Sequence, residues 1–125
     1  MTRLLVKITC GAEAPERYAQ GVTVAATAVA AGAEVSVWLT GEATYLAVPG
    51  RAEEFELPYA APLAELRDTL LAGARVTVCT QCAARREITE SRLRLAREEQ
   101  HRPRVGRQKA PVGHDLSKPI LETFC

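Results

Sequence analysis

Cys79 and Cys82 stand three positions apart in the segment RVTVCTQCAARR, directly ahead of Arg85 and Arg86. A thiol does its chemistry as the thiolate, the form that attacks sulfur and binds soft metals. Val76 and Val78 alternate with Thr77, which reads as a short, mostly buried strand ending at Cys79. Ala83, Ala84, Arg85 and Arg86 favour helix. Cys79 therefore falls at the carboxyl end of a strand, and Cys82 in the first turn of a helix. Unpaired N–H groups and the positive end of the helix dipole face an anion there, and the arginines add charge. A thiol so placed is expected below its ordinary value of about 8.5. Three chemistries use such a pair: dithiol–disulfide exchange, carriage of sulfur as a persulfide, or half of a metal site. Against them stands the plain reading of two small apolar side chains that pack.

The other candidates are weighed the same way. A zinc site would need Cys79, Cys82, His101 and His114, but the histidines lie 13 positions apart, too far for a finger. No metal and no cofactor are expected. Cys10 is a candidate accessory thiol, on the expectation that its strand neighbours the strand of Cys79. Cys125 carries no expected role. Arg85 and Arg86 are candidates to stabilise a thiolate, a persulfide or an anionic substrate, or else belong to a solvated helix face. Trp38 and Tyr45 read as core and rim packing, and Glu53, Glu54 and Glu56 as a solvated acidic loop. The chain holds no P-loop, no GxGxxG and no Ser-His-Asp arrangement.

These residues need a scaffold. Leu4 to Thr9 reads as a first buried strand, followed by Cys10 and Gly11. Pro15 opens a helix at a first-turn position and Glu16 suits its dipole. Tyr18, Val22, Ala25 and Val29 share one face, and Gly32 is the stop. Glu34 to Leu39 alternates as a second strand, and Thr40-Gly41 makes a turn. Glu42 to Val48 is expected as a short helix, and 48–61 as a loop. Pro62 opens another helix, with Leu63, Leu66 and Leu70 on one face and Gly73 at its end. Strands alternating with helices imply parallel strands joined by right-handed crossovers. Ligands gather at the carboxyl ends of such strands. Cys10, Thr40-Gly41 and Cys79 all fall on that edge.

The order of strand, Cys79 and then Arg85-Arg86 resembles the DsrE/DsrF-like proteins, which include TusD-type subunits of sulfur relay systems. LLVKIT with its small-residue turn and Pro-Glu-Arg, the Ala-rich helix 15–31, EVSVWLTGEA and the helix at Pro62 extend the resemblance over roughly residues 3–89. It implies a flavodoxin-like, three-layer α/β sandwich with a mostly parallel sheet, and assembly of subunits as trimers or hexamers. It implies that Cys79 carries sulfur as a persulfide, received from a donor protein and passed to an acceptor. Cys82 has no counterpart in the TusD-type pattern.

Composition bounds the rest. The chain has 125 residues, 47% apolar and 25% charged, with a net charge of +1, as in a single ordinary globular domain. Leu4, Leu5 and Val6 are too short a run for a leader, and no segment approaches a membrane span. Four cysteines without an export signal point to a reducing compartment, where structural disulfides are not the default, so a cytoplasmic protein without a membrane partner is expected. Residues 1–89 read as the folded body. Residues 90–125 read as an atypical, basic, poorly ordered tail with no apolar strand, so the last strand of the family pattern is expected to be missing. The basic run 91–109 lacks interleaved aromatics, and no nucleic-acid partner is expected. The leading expectation is an intracellular persulfide carrier or sulfurtransferase. A CxxC redox protein and a non-catalytic assembly module are the alternatives.

Overall fold

The computed structural model describes residues 2–93 and 120–124. Four strands form one parallel sheet in the order β3-β2-β1-β4: β1 (Arg3–Ile8), β2 (Glu34–Leu39), β3 (Arg75–Val78) and β4 (Ile120–Phe124). The expected α/β class with a flavodoxin-like parallel sheet is the one observed. In β1 the consecutive residues Leu5 and Val6 are both buried, as befits an inner strand covered on both faces. In β2 the alternation is cleaner: Val35, Val37 and Leu39 are buried while Ser36 and Trp38 are half-buried. Lys7 Nζ lies 4.9 Å from the centre of the Trp38 ring, so the half-buried indole is capped by a cation.

Helix α1 (Pro15–Ala30) buries Tyr18, Val22, Ala25 and Ala26. Its end is closed by two hydrogen bonds, Gly32 N–H to the Val29 carbonyl and Ala33 N–H to the Ala28 carbonyl, both 3.0 Å. That is the reciprocal pair of a Schellman cap. After β2 the chain enters a 3-10 helix, Gly41–Ala47, where a short helix was expected from Glu42 to Val48. The stretch read as loop contains a further helical turn, α2 (Arg51–Glu54), held down by buried Ala52. Helix α3 (Leu63–Gly73) then buries Leu63 and Leu70.

The side chain of Arg67, in the middle of α3, is only 4% exposed. Its Nη2 donates to Glu53 Oε1 at 2.6 Å and to Asp68 Oδ1 at 3.0 Å, and its Nε to Asp68 Oδ1 at 3.1 Å. A buried guanidinium without a carboxylate partner is strongly destabilising. The hydrogen bond that Arg67 donates to Glu53, against the cost of burial, keeps the Arg67 pKa above its ordinary value. Glu53 therefore ties α2 to α3, which corrects the reading of Glu53, Glu54 and Glu56 as a wholly solvated cluster.

Two other expectations are corrected. The last strand is not missing: β4 pairs with β1 in parallel, Leu4 opposite Ile120 through Ile8 opposite Phe124. The segment ILETF has three apolar residues interrupted by Glu122 and Thr123, too weak a pattern to read as a strand. Nor does β1 neighbour β3. β2 lies between them, so with strands about 4.8 Å apart the two are on the order of 10 Å apart. Residues 94–119, with most of the basic run, lie outside the described residues.

Candidate functional site

The carboxyl ends of β1, β2 and β3 converge on one rim. β3 passes directly into α4 (Thr80–Arg85), with Cys79 as the N-cap residue. The Cys79 N–H donates to the Leu39 carbonyl at 2.9 Å, extending the β3–β2 ladder by one residue. Cys79 Sγ accepts from the Cys82 N–H at 3.4 Å, taking the place a Ser or Asp oxygen commonly fills at a helix start. Ala83 N–H closes the first turn on the Cys79 carbonyl at 3.0 Å, and buried Ala83 anchors the turn. Both thiols are free and half-buried. Cys82 thus lies in the first helical turn, where the spacing placed it.

Three donors surround the Cys82 sulfur. Gly41 offers its backbone N–H and Cys79 its side chain, while Arg85 Nη1 approaches Sγ at 3.9 Å. Burial alone would raise the Cys82 thiol. The Gly41 and Cys79 hydrogen bonds, with the charges of Arg85 and Arg86, outweigh it and bring the thiol below its ordinary value. Gly41 holds its position through a left-handed backbone, with φ of +55°, and a Cβ there would lie 2.6 Å from the Thr9 carbonyl oxygen. Only glycine fits without a shift. The turn after β1 is equally close: a Cβ on Gly11 would lie 2.7 Å from the Glu42 carbonyl oxygen.

The two arginines divide their work. Arg85 reaches sulfur, whereas Arg86 is a brace. Arg86 Nε donates to Glu42 Oε1 at 2.8 Å and its Nη1 to the Cys82 carbonyl at 3.0 Å. This joins α4 to the 3-10 helix after β2, across 44 positions of sequence. Sequence reasoning set Gly41 on the rim but missed its role as a donor. The available signal was a glycine directly after a strand, on the edge where the thiols were expected.

Cys10 does not join the pair. It is 3% exposed, its strand is separated from β3 by β2, and its sulfur is committed to a disulfide. It is therefore no free accessory thiol here. His101, His114 and Cys125 lie outside the described residues.

A search of curated proteins finds no match. The sequence model of the DsrE/DsrF-like family matches residues 3–102, from β1 past the CxxC turn and its arginines, and the chain belongs to that family.

Proposed function

We propose that Cys79 and Cys82 form a reactive dithiol that accepts and passes on sulfane sulfur, with Cys79 as the carrier. The observation that supports this reading is the turn itself: the Cys82 N–H donates to Cys79 Sγ at 3.4 Å and Arg85 Nη1 lies 3.9 Å from Cys82 Sγ, so each sulfur faces a donor at the helix start. Cys79 loses its proton to water, and its thiolate attacks the outer sulfur of a donor R–S–SH. The donor's S–S bond breaks, Cys79–S–SH forms, and R–S⁻ leaves and takes a proton from water. The thiolate of an acceptor can take the outer sulfur in the same way. Alternatively Cys82 attacks Cys79 Sγ, releasing HS⁻ and leaving a Cys79–Cys82 disulfide for an external thiol to reduce. Arg85 stabilises the anionic forms, and Arg86 positions the helical turn that bears them.

The family-level role in sulfur relay supports this reading. Self-assembly as a homo- or hetero-oligomer, trimeric or hexameric, exchange with donor and acceptor proteins, and a cytoplasmic setting belong to the same proposal. Among the described residues no helix is long and apolar enough to cross a membrane.

A second reading, a reversible redox couple, is favoured by the placing of two free thiols on one turn, with Cys79 Sγ 3.4 Å from the Cys82 backbone nitrogen. Mass spectrometry separates the two. Incubation with a persulfide donor should add one sulfur atom to Cys79, while a redox couple loses two hydrogens under mild oxidant and gains no sulfur. Full loading of the Cys79→Ser variant would sink the carrier assignment.

A further inference from the structure

An open cleft of about 200 Å³ lies on the same rim, lined by Ala12 and Glu42 from the turns after β1 and β2 but by neither thiol. It begins at Glu42, the residue that follows the Gly41 donor and that receives Arg86. Its floor is apolar, from Phe55 and Leu63, and its wall includes Tyr18 and Tyr45. Two opposite charges from one short helix also face it, Arg51 and Glu54. They are three positions apart, so they lie on the same helix face. Arg51 Cζ lies over the Tyr45 ring, 4.3 Å from its centre. That contact is with an aromatic ring rather than an anion, and the Arg51 charge can still take a carboxylate. Among the described residues neither Arg51 nor Glu54 forms an ion pair with another side chain.

We propose that this cleft holds the zwitterionic head of a small amino-acid thiol or its persulfide, with the α-carboxylate on Arg51 and the α-ammonium on Glu54, and turns its sulfur toward Cys79 and Cys82. The sulfur-delivery part rests on the dithiol reading above. The volume lies below the roughly 300–1,000 Å³ of clefts that take drug-sized ligands, which excludes a bulky peptide. An inorganic sulfur anion would satisfy Arg51 but gain nothing from Glu54. The paired charges over an apolar floor suit a molecule with both a carboxylate and an ammonium on a short aliphatic stem.

The test is a titration of the whole protein with S-methyl-L-cysteine, an unreactive thioether, followed by backbone amide NMR. Shifts at Tyr45, Arg51 and Glu54 are expected. Arg51→Gln and Glu54→Gln should each weaken binding about tenfold, the loss expected for one charge-assisted contact. Glu56→Gln, an exposed change nearby and outside the cleft, should bind as the wild type does. Ethyl methyl sulfide, which lacks the head group, should not bind. Absence of shifts at the cleft, or equal binding by both cleft variants, overturns the inference. Delivery is read separately: with cysteine persulfide as donor, the cleft variants should raise KM with little change in kcat, and an unchanged KM overturns delivery. If the wild-type protein takes sulfur from neither cysteine persulfide nor inorganic polysulfide, the persulfide reading fails, and the titration alone decides whether the cleft binds the head group.

Discussion

Gly41→Ala tests how the rim is built. Gly41 has φ of +55°, and a Cβ there would meet the Thr9 carbonyl oxygen at 2.6 Å. Forcing alanine into the left-handed region costs roughly 1–2 kcal/mol. Relieving the contact with backbone costs roughly 1–3 kcal/mol more. Together these are roughly 2–5 kcal/mol, a large part of the roughly 5–15 kcal/mol that holds a domain together. Gly50→Ala is the matched control: its φ is +87°, and a Cβ there has nothing within 4 Å. It should cost only the conformational part. The two variants, compared by urea unfolding, isolate the contact with Thr9. A chemical readout follows as well. Any backbone shift at residue 41 draws its N–H from the Cys82 sulfur and lets burial raise the thiol again. Alkylation of Cys82, mapped by mass from about pH 6 to about pH 9 on either side of the ordinary thiol value, should slow at neutral pH in Gly41→Ala and not in Gly50→Ala. Equal destabilisation by both variants, with identical Cys82 profiles, would refute the reasoning.

Glu53→Gln removes the carboxylate from buried Arg67; because Glu53 is itself 46% exposed, the loss should be about 1–2 kcal/mol in unfolding free energy, and an unchanged urea midpoint would count against the tie. Leu70→Ala, at a side chain only 1% exposed between α3 and the core, should cost about 2–5 kcal/mol by the same assay, and a loss under about 1 kcal/mol would contradict its core position. The Cys82 thiol is lower when folded than unfolded, so the thiolate is the form that folding favours. Its contribution to stability is present above the unfolded value of about 8.5 and is lost as pH falls through the folded value. Cys82→Ser should remove that rise of stability with pH, and parallel pH profiles of the two proteins would contradict it.

The placement of the CxxC turn was legible because strand alternation and helix propensity change over at Cys79 itself. Parallel topology followed from alternating elements, and with it the shared rim of Cys79 and Gly41. Lateral strand order was not legible, because hydrophobic patterns give direction and burial but not which strand is the neighbour. That is why Cys10 was expected beside Cys79 while β2 in fact separates them. Arg67 left a signal that was passed over. Leu63, Leu66, Arg67 and Leu70 follow the i, i+3, i+4, i+7 spacing, so a charge stood on an apolar face and required a partner. Its partner Glu53, and the Glu42 partner of Arg86, lie 14 and 44 positions away, and charge alone does not select such pairs. β4 was missed because its apolar residues are few and follow a long cationic stretch.

The central claim is that Cys79 carries sulfur beside a stabilised Cys82 thiolate. The most direct measurement is intact mass and peptide mapping of the protein after incubation with a persulfide donor, for the wild type and Cys79→Ser. The account predicts a gain of one sulfur atom on Cys79 in the wild type and none in the variant. Equal gain in the variant, or no gain in the wild type with both thiols intact, would contradict it.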